Sequence, residues 1–348
     1  MSRRSKIIAG SVAGVVVVGG AVLALTVFKE QIGSKIPIIG DVFKADTCPL
    51  SGAEPKDSDV AGRPAVAIKV ENAQVAYPLA GLEDAELVYE ELVEGGVTRF
   101  LAIYHCTDSD KIGPIRSARA VDPGIMIPVT KILAYSGQNA PVLDALQKAG
   151  IVRIDESNAK GAMTRVPREG LDAEHTLYAD SAEVRELASD KFDETPPDEV
   201  FKFGDVEGDT KRAKTVEITF SDLTQIRYVF AGDGYERFQP TEQPFELEGS
   251  GQLSVENVLI EEHEVINSKI KDVNGNPSTE IADQTGSGSA TLFRDGQAIS
   301  GTWKRASRND LVRFETKSGD EMVFAPGSVW IHLLPNDKGE LQGSFKFD

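Results

Sequence analysis

Gly81–Tyr104 reads GLEDAELVYEELVEGGVTRFLAIY, and two strands are visible in it. Leu87-Val88-Tyr89-Glu90 and Thr98–Tyr104 (TRFLAIY) are rich in aromatic and aliphatic residues, and Gly95-Gly96 between them supplies a turn. Upstream, Ala65–Val70 (AVAIKV) is bounded by Pro64 and by Glu71-Asn72, which suits a short buried strand. Downstream, Lys131–Tyr135 (KILAY) is a fourth strand. Pro141–Ala149 (PVLDALQKA) predicts a helix, with Pro in its first turn, Val142, Leu143, Leu146 and Ala149 on one face, and Gly150 after its end. Ser181–Ala188 (SAEVRELA) predicts a second, with Ser181 as N-cap and Glu183 in the first turn. Strands alternating with helices define a mixed α/β domain over residues 63–192.

Residues 193–214 contain Pro196-Pro197, several acids, Gly204 and Gly208, the composition of a linker. A mostly-β domain follows over 215–348. Val216–Phe220 and Gln225–Ala231 are strand-like, and Asp233-Gly234 is a tight-turn signal. Ser254–Ile260 is a further strand. Asp295-Gly296 and Ser318-Gly319 each divide a pair of strands, and Val329–Leu334 closes the series. Trp303 and Trp330 fall on these strands and are expected in the core. The fold class is therefore α+β overall: an α/β region, then a mostly-β one.

At the other end of the chain, Ile7–Phe28 is a run of 22 uncharged residues, long enough as a helix to cross a bilayer core. Arg3, Arg4 and Lys6 precede it, so the N-terminus is expected in the cytoplasm and the body outside, with residues 1–29 as tip and single-pass anchor. A cleaved signal peptide is the competing reading, but its apolar region is shorter as a rule and no small-x-small site ends this run. Residues 30–62, with Pro37, Pro49 and Pro55, read as a tether. The chain carries only two cysteines, Cys48 and Cys106, both beyond the apolar run. In an oxidising compartment they are expected to form a disulfide, worth about 4 kcal/mol on a chain-entropy argument; two free thiols are the alternative.

The net charge is −18, from 37 basic and 55 acidic residues. Setting aside the three basic residues ahead of the apolar run leaves 34 against 55, or −21, on the rest. That surface is unsuited to nucleic acid, which needs a broad basic face. One basic segment stands apart: Lys111–Arg119 (KIGPIRSAR), directly after a strand, with Gly113-Pro114 forcing a turn. Arg116 and Arg119, three apart, share a face if they begin a helical turn. Ser117 adds a hydroxyl, Arg99 on the preceding strand is a third base, and His175 is a candidate neighbour. Such a set is suited to a phosphate or carboxylate, because guanidinium offers paired donors. The competing reading is an ion-pair network with Glu90, Glu91 and Glu94.

Other chemistry is not supported. The two cysteines lack neighbours at zinc-ligand spacing, and Asp272–Asn276 has its glycine at the wrong position for a calcium loop, so no metal and no cofactor is expected. Ser136 lacks the preceding glycine of a nucleophile elbow, and His105 beside Cys106 is adjacency rather than a catalytic pair.

Arg63-Pro64 with the strand to Glu71-Asn72, then Gly81–Tyr104 and Lys111–Arg119, closely resemble the YerB-like lipoprotein family. Cys48–Gly52 (CPLSG), Phe293–Gly296 (FRDG), Gly301-Thr302-Trp303 and Ala325-Pro326-Gly327 with Trp330 extend the match over nearly all of residues 48–340. That family pairs N- and C-terminal DUF3048 domains of unknown function. The resemblance implies an exported envelope protein and brings no activity with it. No cysteine ends the apolar run, which departs from the lipoprotein pattern and favours a membrane helix. Two function classes follow: a module binding an anionic cell-wall component or an envelope protein partner, and an enzyme of phosphotransferase type acting on an anionic or lipid-linked envelope substrate.

Overall fold

The alternation in VAIKVE, LVYEEL and TRFLAIY is muted because both faces of these strands are covered, so apolar residues occupy successive positions. The computed structural model describes residues 47–348 apart from Glu207, Val273 and Asn274. The expected anchor at 7–28 lies outside the described residues. Among them, no helix is long and apolar enough to cross a membrane.

The first strands are β1 (Val66–Glu71), β2 (Leu87–Leu92), β3 (Thr98–Tyr104), β4 (Ile132–Ala134) and β5 (Val152–Ile154). The later ones are β6 (Thr215–Thr219), β7 (Gln225–Phe230), β8 (Tyr235–Phe238), β9 (Ser254–Val255), β10 (Asn257–His263), β11 (Gly286–Arg294), β12 (Gln297–Arg305), β13 (Arg313–Thr316), β14 (Val329–Pro335) and β15 (Ser344–Phe347). Helices are short: α1 (Ser58–Ala61), α2 (Asp122–Met126), α3 (Ala140–Lys148) and α4 (Ser181–Ala188).

One large sheet runs β13-β12-β11-β10-β14-β2-β3-β1-β4-β5, with Lys211-Arg212 also pairing with β12. A second sheet, β9-β8-β7-β6-β15, lies on one face of it. Val66, Ile68, Val88 and Phe100 share a core with Val216, Ile218, Ile226 and Tyr228 of that second sheet. The opposite face, with Leu87, Tyr89, Leu101 and Leu133, packs under Val121, Ile125 and Met126 at α2. Trp303 and Trp330 are core residues, as expected.

The structure is thus mostly β, a mixed sheet with few helices, and the α/β expectation for 63–192 holds only in part. Both β4 and β5 join in parallel, but β1, β2 and β3 are antiparallel. A physical reason is the second sheet: it covers the face that helices cover in an α/β layer. The two sequence regions meet in the large sheet, because β14 lies parallel to β2 and parallel to β10. Residues 193–214 also do more than link. Lys202-Phe203 pairs with Val323-Phe324, and Lys211-Arg212 with Gln297-Ala298. The cap of α4 is Asp180 rather than Ser181: its carboxylate accepts from the N–H groups of Ala182 and Glu183. Cys48 and Cys106 form the expected disulfide, with Cα atoms 6.0 Å apart.

Candidate functional site

Pairing register lays out one row across the strands: Glu71 on β1 faces Arg99 on β3, and Arg99 faces Glu91 on β2. All three side chains belong to the α2 face of the sheet, by the alternation that puts Leu101 and Tyr89 there. The KIGPIRSAR segment crosses the end of this row. It is held by Glu71 N–H to Pro114 O at 3.0 Å, Arg116 N–H to Lys69 O at 2.9 Å and Ile115 N–H to Leu177 O at 2.7 Å. Gly113 has φ +151°, and a Cβ there would stand 2.8 Å from Leu177 O, so the close approach requires glycine.

That route brings the arginines together. Arg99 and Arg119 both donate from Nη1 to Ser117 O, each at 3.2 Å. Arg119 is further held by Glu94, Nη2 to Oε2 at 2.5 Å, and Glu94 in turn accepts from Ser278 Oγ at 2.5 Å. Arg116 pairs with exposed Glu174 at 2.9 Å and stands 3.8 Å from Glu71. His175 joins through Glu71, Nδ1 to Oε2 at 2.9 Å. Ser117 contributes its carbonyl to the arginines, while its hydroxyl donates to Ser136 O at 3.0 Å. Arg99 is different: among the described residues it has no carboxylate within ion-pair distance. Burial, then the like charges of Arg119 and Arg116, push its guanidinium down to about 9. It stays a cation at neutral pH, crowded by two others.

Behind the arginines is a buried ion cluster. Lys69 bridges Glu91 and Asp122, the latter at 2.6 Å, and Asp122 also accepts from the Arg119 N–H at 2.6 Å. Burial raises Glu91 to about 7, with Asp122 adding to the rise and Lys69 opposing it. Its Oε2 has no hydrogen-bond partner among the described residues. Glu71 is also raised, chiefly by burial.

The three glutamates expected as one acidic cluster go separate ways. Glu94 pairs with Arg119 and Glu91 with Lys69. Glu90 points to the other face and meets Arg237 of β8 at 2.9 Å. Lys69, Glu71, Asp122 and Glu174 belong to the site and were missed by the sequence reading. A signal existed for two of them: Lys69 and Glu71 are charges at alternate positions of an otherwise apolar strand, which sets both on one face.

Residues 50–195 match the N-terminal domain, and residues 216–331 the C-terminal domain, of a family described as protein of unknown function (DUF3048). A Bacillus subtilis (strain 168) protein described as "Putative lipoprotein YerB" is 24% identical over 314 residues, covering 86% of this chain and 89% of its own. The crystal structure of the YerB protein from Bacillus subtilis superposes with a TM-score of 0.69 at 23% identity, covering 86% of this chain and 99% of that one. At that identity the likeness establishes the fold.

Proposed function

The chain belongs to the DUF3048 family of proteins of unknown function, and from that premise we propose that it is a membrane-associated extracytoplasmic protein that binds an anionic envelope component through Arg99, Arg116 and Arg119. The location rests on the 22-residue apolar run after a basic tip, and on a relative described as a lipoprotein. A full-length chain that leaves the membrane fraction in carbonate, or is recovered without residues 1–28, defeats the anchor.

The observation that carries the binding reading is Arg99. A half-buried guanidinium with two cationic neighbours and, among the described residues, no carboxylate within ion-pair distance is costly, because the more distant Glu94 and Glu91 do not outweigh its burial, and a bidentate anion is the group that relieves it. Calorimetry at low salt with inorganic pyrophosphate and, separately, with citrate tests it and distinguishes phosphate from carboxylate chemistry. Arg99→Met should weaken binding by about tenfold or more while the melting temperature holds or rises, since it removes an uncompensated charge. A wild-type chain that binds neither anion defeats the reading.

The enzyme reading has one observation of its own. Glu91, next to Arg99 in the row, exchanges a proton near pH 7 and keeps a free carboxylate oxygen. In a phosphotransferase-like reaction it would carry the proton while the arginines hold the anion. Turnover of a lipid-linked pyrophosphate that Glu91→Gln abolishes, with pyrophosphate binding intact, separates an enzyme from a binding module. Intact turnover in that variant removes Glu91 from the mechanism.

A further inference from the structure

The strand row that holds Glu71, Arg99 and Glu91 continues through Leu333 on β14 to Glu261 on β10. There it meets a cleft lined by Ile125, Pro128, Val129, Leu311 and Val312. Its empty space is ≈ 440 Å³ with the open mouth included, and water-sized molecules can centre in ≈ 30 Å³ of it. That inner space holds two or three waters, or about five to six heavy atoms of a ligand.

Its floor is polar and buried. Glu261 is only 3% exposed; Oε1 meets His263 Nε2 at 3.0 Å and Oε2 has no partner among the described residues. The other ring nitrogen of His263 meets Asp283 at 3.0 Å, and the ring packs against Trp303 with centroids 4.6 Å apart. Arg305 also lines the cleft; its Nε donates to Asp310 O at 2.9 Å and its Nη2 to Arg308 O, which leaves Nη1 without a bond among the described residues. Gln284 closes the back, wedged so tightly that a Cβ on Gly124 would stand 2.1 Å from its Oε1.

The signs of these groups cancel. Glu261 and Asp283 are balanced by Arg305 and by His263, whose two carboxylate partners overcome burial and raise it to about 9. A ligand with net charge would unbalance the cleft, whereas two opposite charges on one small molecule satisfy both ends. We infer that this cleft binds a small zwitterion, an α-amino acid with a short apolar side chain, its ammonium on Glu261 Oε2 and its carboxylate on Arg305. Tyr89, Ile125, Val129 and Leu333 provide the apolar wall for the side chain.

The site is separate from the arginine cluster, and its test is independent. Glycine and alanine are titrated into the full chain by calorimetry, with ethylamine and propionate as one-ended controls. Alanine should bind, and each control should bind about tenfold more weakly or not at all. Glu261→Gln should weaken alanine by a similar factor while pyrophosphate binding at Arg99 is unchanged. Val312→Trp, at a half-buried apolar position of the lining, should obstruct the cleft and serves if the Glu261 variant does not fold. No heat with either amino acid up to about 10 mM, or ethylamine equal to alanine, overturns the assignment.

Discussion

Glu90 and Glu91 adjoin in sequence and are both buried, yet β2 turns them to opposite faces, where their surroundings act in opposite directions. Burial alone raises a carboxyl, and for Glu91 it prevails. For Glu90 it is outweighed by Arg237 and then His332, which hold the carboxyl down at about 2. Arg237 is itself fully buried among Phe100, Tyr228, Phe245 and Trp330, its guanidinium 4.9–5.6 Å from their ring centres. The consequence for stability has a sign. Glu90 is depressed from 4.5, so its contribution is present above that pH and is lost as pH falls towards 2. Glu91 is raised, so it costs nothing below 4.5, a growing amount between 4.5 and about 7, and a constant amount above. His263 is raised from 6.5, so its contribution is present below that value and is lost as pH rises through 9. Urea midpoints should therefore peak at about pH 4.5 to 5 and decline from there towards pH 9; a rise between about pH 5 and 9 contradicts these environments. Removing one partner of the Glu90–Arg237 pair, as in Arg237→Met, should cost about 3–5 kcal/mol, and adding Glu90→Gln should recover much of it. Additive losses in the double variant would show that the pair is not coupled. None of this division was legible in EELVE, because three glutamates in a row of strand and turn carry no mark of which cation each will meet.

At the scale of elements, the segments with a local signal were legible: β1 to β4, α3, α4, and the hairpins around Gly234 and Gly296. The elements that were missed lack one. Val265–Lys271 and Pro277–Ile281 pair with each other as strands, but Asn267, Lys269, Lys271 and Glu280 occupy their exposed positions and no long apolar run marks them. The short strands at 202–203 and 211–212 are defined only by partners more than eighty residues away. The candidate site depends most on a segment that is neither helix nor strand. Residues 113–118 are placed by hydrogen bonds to β1 and to Leu177, and the sequence showed only the turn at Gly113-Pro114. Gly113→Ala tests how far that path positions the arginines. It should destabilise by about 1–3 kcal/mol, because the backbone conformation and the Leu177 carbonyl both oppose a side chain. It should also weaken pyrophosphate binding, which a stability loss elsewhere would not do. Unchanged binding would mean that Arg99 and its neighbours do not rely on the segment's path.

For the whole molecule, two family domains are distinct in sequence, at 50–195 and 216–331, and yet residues 47–348 cluster as one compact unit. The reason is where β14 sits. It is among the last strands of the chain, and it pairs with β10 of its own region on one side and with β2 of the first region on the other. The Arg237–Glu90 pair joins the second sheet to the first across the other face. A cut in the acidic, proline-containing stretch near Pro196-Pro197 severs the peptide but none of these contacts. Limited proteolysis should therefore nick the chain between about residues 193 and 200, and the two fragments should co-elute in size exclusion and separate only in denaturant. Independent elution under native conditions would mean that the β2–β14 junction is not the principal bond between the regions. A chain ended before Val329 makes the same argument from the opposite side. It leaves β2 and β10 as long apolar edges with unpaired backbone groups, so it should aggregate rather than yield a stable first domain. A soluble, cooperatively folding product from that truncation would show that residues 50–195 form a core sufficient for themselves, and that the continuous sheet joins two bodies already able to fold apart.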